Sequence, residues 1–241
     1  MNESENPSQH VGSHTGFIGF FDLLGYKEFV RNNQLKEVAQ KVRDILRVCR
    51  TSKILNEGME HLFGNHLCEH VIFSDTILIY SNTTSDPSAT LFTSFCTSLV
   101  NGLFRAGYPV RGALASGEFY VEVEQASICL AGAPIVEAYE LADCLDFAGC
   151  VVAPSAERLL DLKWRYFQYE VPIKGCGKQR MFVLNAIADE EESPGISRQV
   201  VLDRFGAHNK RIGVDVLPKI NNTIAFLEAC KREACRTPLT S

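Results

Sequence analysis

Two aspartates stand where a carboxylate is costly. Asp22 lies inside Phe20-Phe21-Asp22-Leu23-Leu24, and Asp75 is flanked by Phe73 and Ile77. An ionised carboxylate among apolar neighbours is unfavourable unless a cation or hydrogen bonds compensate it, so something must neutralise each of them. If two strands each deliver one carboxylate to a common point, the result is a natural site for a hard cation such as Mg2+ or Mn2+. Taken singly, each aspartate also has a plainer reading, as the cap of a turn or a helix. Cys68, with His61, His66 and His70 nearby, is the other metal-like cluster, but its spacing fits no common zinc pattern.

The elements that must position these carboxylates follow from the apolar pattern. Residues 17 to 25 are short, almost wholly apolar and closed by Gly25, which suits a strand buried on both faces. Lys27 to Arg50 has helical spacing and predicts one long amphipathic helix. Glu69 to Tyr80 reads as two strands meeting near Ser74-Asp75, a hairpin with a carboxylate at its tip. Pro87 opens a helix to about Ala106, and Tyr108 to Gly117 returns as a strand. A strand near 126 to 130 precedes a helix from Gly132 to about Leu145, and Cys150 to Ala153 is a further strand. Pro154 to Leu162 reads as a short helix. Two strands, Arg165 to Ile173 and Met181 to Asn185, then flank the loop Lys174-Gly175-Cys176-Gly177. Alternating strands and helices with a hairpin predict an α+β sandwich, with helices packed on a mixed, mainly antiparallel sheet. The organisation expected is a polar tail over 1–15, a catalytic domain over 16–185 and a helical C-terminal extension over 186–241. An acidic connector at 189–195 leads to the helix best seen from Leu217 to Ala234.

Composition narrows the function. The 241 residues carry 24 Lys and Arg against 29 Asp and Glu, a net charge of -5. That argues against a broad electropositive surface for nucleic acid or acidic lipid, so a polyanionic ligand must be met by a few local cations. No run of about 18 apolar residues is present to span a bilayer, and the polar start lacks a signal pattern; the expectation is a cytoplasmic protein without membrane contact. The nine cysteines contain no C-x-x-C pair and read mainly as reduced, small apolar core residues.

In this order, Phe20-Phe21-Asp22-Leu23-Leu24-Gly25-Tyr26, Phe73-Ser74-Asp75, Val110 to Gly117, Gly132 opening a helix and Ile173-Lys174-Gly175-Cys176-Gly177 resemble the class III nucleotidyl (adenylate/guanylate) cyclase catalytic domain, with its ferredoxin-like palm core. The resemblance implies that Asp22 and Asp75 bind two divalent cations, Mn2+ or Mg2+, with the Leu23 carbonyl as a further ligand. It implies that the amides of Leu24, Gly25 and Tyr26 hold the terminal phosphates. Arg111 would bind the triphosphate, and Lys174 would reach it from the partner subunit of a homodimer with shared active sites. The cyclisation chemistry is consistent with this, since metals and cations can activate the ribose 3′-oxygen and neutralise the leaving diphosphate.

Departures from the family pattern bear on the substrate. Val71 and Cys129 occupy the positions where purine cyclases of this family read the base, and Val136 and Glu140 stand where a transition-state asparagine and arginine are expected. Both metal aspartates and both phosphate cations remain, which favours a variant pocket over an inactive relative. The altered helix and the C-terminal extension resemble the bacterial pyrimidine (uridylate) cyclases of the Pycsar anti-phage defence system. That resemblance implies conversion of UTP to 3′,5′-cyclic UMP and diphosphate, the product activating a separate effector. A cytidylate or purine cyclase and a non-catalytic nucleotide-binding module are the alternatives. In a strand over 17–22, Phe20 shares a face with Asp22, where its ring would shrink the base pocket against a purine; the plainer alternative is core packing.

Overall fold

The computed structural model describes residues 11–57, 68–124, 127–160, 165–185 and 197–236. The strands are β1 (Val11–Leu23), β2 (Cys68–Phe73), β3 (Thr76–Ser81), β4 (Val110–Glu124), β5 (Ser127–Gly132), β6 (Gly149–Val152), β7 (Tyr166–Ile173) and β8 (Gly177–Leu184). The helices are α1 (Tyr26–Asn32), α2 (Leu35–Glu57), α3 (Asp86–Arg105), α4 (Ala133–Cys144), α5 (Arg198–Gly206) and α6 (Leu217–Arg236). All eight strands form one sheet in the order β2-β3-β1-β4-β6-β8-β7, with β5 pairing to β4 off this path. Only β4 and β6 run parallel among these pairs, because α4 carries the chain over the sheet between β5 and β6. The expected mixed, mainly antiparallel sheet with packed helices is what the chain forms.

Alternation along β1 assigns the two faces. Phe17 stacks on Phe92 of α3 with ring centroids 5.2 Å apart, and Gly19 lies against Phe92 and Cys96, so the odd-numbered side chains face α3. Phe20 meets Tyr139 of α4 edge to face at 5.5 Å, so the even-numbered side chains face α4. Asp22, an even position, therefore looks toward the α4 side. The centre of the sheet and α3 supply most of the core, with Phe17, Phe21, Ile77, Ile79, Phe92 and Leu99 fully buried. Cys49, Cys68, Cys96, Cys150 and Cys230 are buried as small apolar core residues.

The structure departs from the sequence reading in several places. Residues 11–15, expected in the polar tail, extend β1 to Val11 because they pair with the long second half of β4, from Thr15 opposite Glu118 to Val11 opposite Glu122. The single helix expected from Lys27 to Arg50 is two, since Asn33 is extended (φ -123°, ψ 151°) and its side chain caps the Phe29 carbonyl at 2.7 Å. Pro154–Leu159 form successive turns rather than a helix. The strand expected from Met181 begins earlier, at Gly177, where the turn after Lys174 returns the chain directly into the β7–β8 ladder. The connector at 189–195, His61 and His66 lie outside the described residues. In the helix expected from Leu217 to Ala234, Ile220, Phe226 and Leu227 are buried, and Phe226 contacts Phe147, Phe167 and Tyr169. This helix, α6, thus completes the core at the β7 edge.

Candidate functional site

Strand register brings the two aspartates together. Asp22 sits opposite Thr76 of β3 on one side and opposite Arg111 of β4 on the other. Asp75, in the two-residue turn before Thr76, accepts a backbone hydrogen bond at its carbonyl from the Leu23 amide at 2.9 Å. The preceding residue of that turn, Ser74, takes the left-handed φ of 57°, a strained conformation for a non-glycine residue beside a candidate site. Arg111 donates through Nε to Asp22 Oδ2 at 2.7 Å, a half-buried charge-assisted bond. Burial pushes the Asp22 carboxyl above its ordinary value; Arg111 pulls it back through the hydrogen bond and its charge, and the charges of Asp75 and Asp143 raise it further.

Asp143, at the end of α4, is a member of this site that the sequence reading missed. Arg111 Nη2 lies 2.7 Å from Asp143 Oδ1, and Nη1 donates to the Asp143 carbonyl at 2.7 Å. Lys174 Nζ donates to the same carbonyl and stands 3.5 Å from Oδ1. Desolvation opposes ionisation of Asp143, but the charges of Arg111 and Lys174 outweigh it and hold the carboxyl below its ordinary value. Asp22, Arg111, Asp143 and Lys174 thus form one chain of alternating charge within a single protomer. Arg111 also caps the C-terminal end of α4, where backbone carbonyls favour a cation.

The segment after Asp22 is a tight turn. The Leu24 amide donates to the Pro109 carbonyl at 2.8 Å, and Gly25 takes φ 77° with its carbonyl accepting from Phe29 at the start of α1. An L side chain at Gly25 would be strained in this conformation, and its Cβ would meet Lys210 Cδ at 3.0 Å. Tyr26 lies close enough to Asp75 that, after burial, the aspartate charge raises its hydroxyl pKa. Phe20 is half-buried on the same face as Asp22, in contact with the exposed ring of Tyr139.

Positions read as departures are distributed differently. Val71 is partly buried in the β2–β3 ladder opposite Leu78, and Cys129 is exposed on β5 opposite Glu122. Val136 and Glu140 are exposed, one turn apart on α4. Neither the Asp22 nor the Arg111 hydrogen bonds reach any of them.

Asp22 and Asp75 suit a hard cation, since the Asp75 charge opposes that of Asp22 in a half-buried setting that Arg111 relieves only in part. Among the described residues no group of three or more His, Cys, Asp or Glu side chains forms a metal cluster. A cation here would draw its remaining ligands from backbone carbonyls, water and ligand oxygens, as Mg2+ commonly does. Among the same residues no helix is long and apolar enough to cross a membrane.

No family model and no curated protein sequence matches the chain. Solved structures do. A bacterial light-regulated adenylyl cyclase aligns with TM-score 0.54 at 11% identity, covering 95% of this chain and 60% of its own. A second structure so described aligns with TM-score 0.53 at 11% identity, covering 92% of this chain and 58% of its own. The adenylyl cyclase CyaB from P. aeruginosa aligns with TM-score 0.50 at 10% identity, over 73% of this chain and 95% of its own. This chain therefore spans about three fifths of the light-regulated enzymes and nearly all of CyaB. At such identities the likeness is one of architecture, and the architecture is the palm fold of the class III adenylyl and guanylyl cyclase catalytic domain.

Proposed function

We propose that the chain is a nucleotidyl cyclase that converts UTP to 3′,5′-cyclic UMP and diphosphate, working as a homodimer with shared active sites. The observation that carries this reading is the placement of Asp22 and Asp75 at adjoining strand ends, with Arg111 bonded to Asp22 from the next strand. Two divalent cations, Mn2+ or Mg2+, held by Asp22, Asp75 and the Leu23 carbonyl, would activate the ribose 3′-oxygen and neutralise the departing diphosphate.

The chain's own groups do the rest. The turn of Leu24, Gly25 and Tyr26 would offer the amides of Gly25 and Tyr26 to the terminal phosphates, while that of Leu24, expected to join them, is held by the Pro109 carbonyl; Gly25 is the residue that lets the backbone approach closely. Arg111 exchanges carboxylate partners for the triphosphate, an anion of matching geometry. Lys174, delivered by the β7–β8 turn, is the second cation; in the dimer it would serve the partner's nucleotide. Holding the 3′-oxygen in line with the α-phosphorus is the positional contribution expected of the surrounding fold.

The preference for a pyrimidine rests on Val71 and Cys129, side chains without the strong donors and acceptors that read a purine edge, and on Phe20 beside the site. The product would act as a second messenger for a separate effector in antiviral defence. The test is diphosphate release by purified protein with Mn2+ and each of ATP, GTP, CTP and UTP. Release with UTP supports the proposal, and release with another nucleotide reassigns the substrate. Binding of nucleotide without any release would leave a nucleotide-binding module.

A further inference from the structure

The C-terminal segment reaches the back of the candidate site through a knuckle at Ala207–Lys210, just after α5. His208 and Asn209 are consecutive left-handed residues, with φ 60° and 61°. Such a pair is unfavourable and persists only where surrounding contacts over-determine it. Those contacts are present: Asn33 donates to the His208 carbonyl at 2.8 Å, Asn32 to the Asn209 carbonyl at 2.9 Å, and Asn209 to Asn33 Oδ1 at 2.9 Å. On the other side, the His208 ring nitrogen bonds the Ala106 carbonyl at 2.8 Å and its ring stacks on Tyr108 at 4.4 Å. The knuckle therefore grips α1, which follows Gly25, and the loop before β4, which leads to Arg111.

Lys210 lies where these two segments meet. It is 7% exposed, and its Nζ donates to the Gly107 carbonyl at 2.8 Å and stands 5.8 Å from the Tyr108 ring centroid. Its stem fills the space beside Gly25. Among the described residues no carboxylate forms an ion pair with it. A buried ammonium without a counter-charge is unfavourable, and burial here draws its pKa down to about 8. A methionine of similar shape would avoid that cost, so the stem alone does not explain the charge. Two residues away from Pro109, whose carbonyl takes the Leu24 amide, Gly107 is itself left-handed at φ 84°, and a Cβ there would strike Ala207.

We propose that Lys210 is a positioning residue of the triphosphate site: its stem props the Gly25 turn, its ammonium fixes the loop before Arg111, and its positive charge is balanced when a polyphosphate occupies the far side of that turn. The proposal rests on the triphosphate reading of the Leu24–Tyr26 turn given above. It assigns a role in nucleotide binding to a residue of the segment between α5 and α6, far in sequence from the turn it supports.

The test uses the full chain with Mn2+ and inorganic tripolyphosphate, measured by calorimetry, and then nucleotide turnover. Lys210→Met, which keeps the stem, is expected to bind tripolyphosphate about tenfold more weakly, the scale of one charge acting through a protein interior. Its KM should rise by a similar factor with kcat within about twofold, and its melting temperature should be unchanged or higher, because an uncompensated buried charge has gone. A folded Lys210→Met protein that binds tripolyphosphate as tightly as the wild type overturns the proposal. Without any substitution, the Lys210 Cε resonance of lysine-labelled wild-type protein should move when tripolyphosphate binds, and a resonance that stays in place during binding overturns the proposal equally. Wild-type protein that binds neither tripolyphosphate nor any nucleoside triphosphate would instead overturn the triphosphate reading on which the proposal depends.

Discussion

Asp22 and Arg111 face each other across the β1–β4 ladder, joined by a 2.7 Å bond from the arginine Nε to the carboxylate. Their side chains are 19% and 15% exposed, so the pair is sheltered enough for its loss to matter. Arg111→Met should lower stability by about 1 to 3 kcal/mol in urea melts, because Asp22 keeps its buried charge without a partner. The double variant Asp22→Asn with Arg111→Met should recover part of that loss. Turnover should fall at least about a hundredfold in Arg111→Met, since a cation meant for the triphosphate is gone. Stability equal to wild type would show that the bond contributes nothing to the fold.

Asp143 holds both cations, yet it is 54% exposed. Removing its charge should therefore alter stability by less than about 1 kcal/mol. Its effect on nucleotide binding should be larger, because its carboxylate occupies Arg111 and Lys174 positions that a triphosphate would claim. Asp143→Asn should lower KM several-fold with kcat little changed, as read from initial rates over a nucleotide series. A raised KM would mean that Asp143 orients the two cations more than it competes for them.

The legibility of this site differs residue by residue. Asp22 stood out in the sequence because a carboxylate inside an apolar run is locally anomalous, and Asp75 because it marks a hairpin tip; both signals are contained within about ten residues. Asp143 gave no such signal. It ends a helix where a solvated acid is ordinary, and its meaning arises only when α4 crosses the sheet to meet a strand 32 residues away. Lys210 is hidden for the same reason, 103 residues from the carbonyl it bonds. Elements with strong apolar periodicity, such as α3 and α6, were readable, whereas α5 is nine residues long and buries only Val201 and Phe205. The break between α1 and α2 depends on Asn33, whose second partner, the His208 carbonyl, is supplied by the distant knuckle.

Within one chain Lys174 rests on Asp143, while the proposed dimer would give it to the partner's site. Mixing Asp22→Ala protein with Lys174→Ala protein distinguishes the two arrangements. Random pairing makes about half of the dimers mixed, and each mixed dimer would hold one intact shared site, so activity should return to roughly a quarter of wild type. No recovery, with mixed dimers verified by tagged purification, would show that each chain carries a self-contained site.

The knuckle should make folding sensitive to mild acid. Burial holds the His208 imidazole below its ordinary pKa of 6.5, in spite of the bond to the Ala106 carbonyl. With the folded value below the unfolded one, the unfolded chain takes up the proton first, so stability is unaffected above about pH 6.5 and declines as pH falls below it. His70, also held low by burial, adds to this decline. His208→Gln should show a shallower loss than wild type between about pH 7.5 and about pH 5 in urea melts. Identical slopes would remove His208 from the account.

Phe20 links the site to substrate choice. Its ring meets Tyr139 at 5.5 Å on the Asp22 face, rather than disappearing into the core. If that ring fills space a second base ring would need, Phe20→Ala should gain turnover with ATP or GTP, and lose part of its UTP turnover as the smaller base fits more loosely. The aromatic pair contributes about 0.5 to 1.5 kcal/mol beyond area burial, so some loss of stability is expected as well. Tyr139→Ala provides the comparison, because it removes the contact but leaves the ring on the strand. A Phe20→Ala enzyme with unchanged pyrimidine selectivity would assign the ring to packing alone.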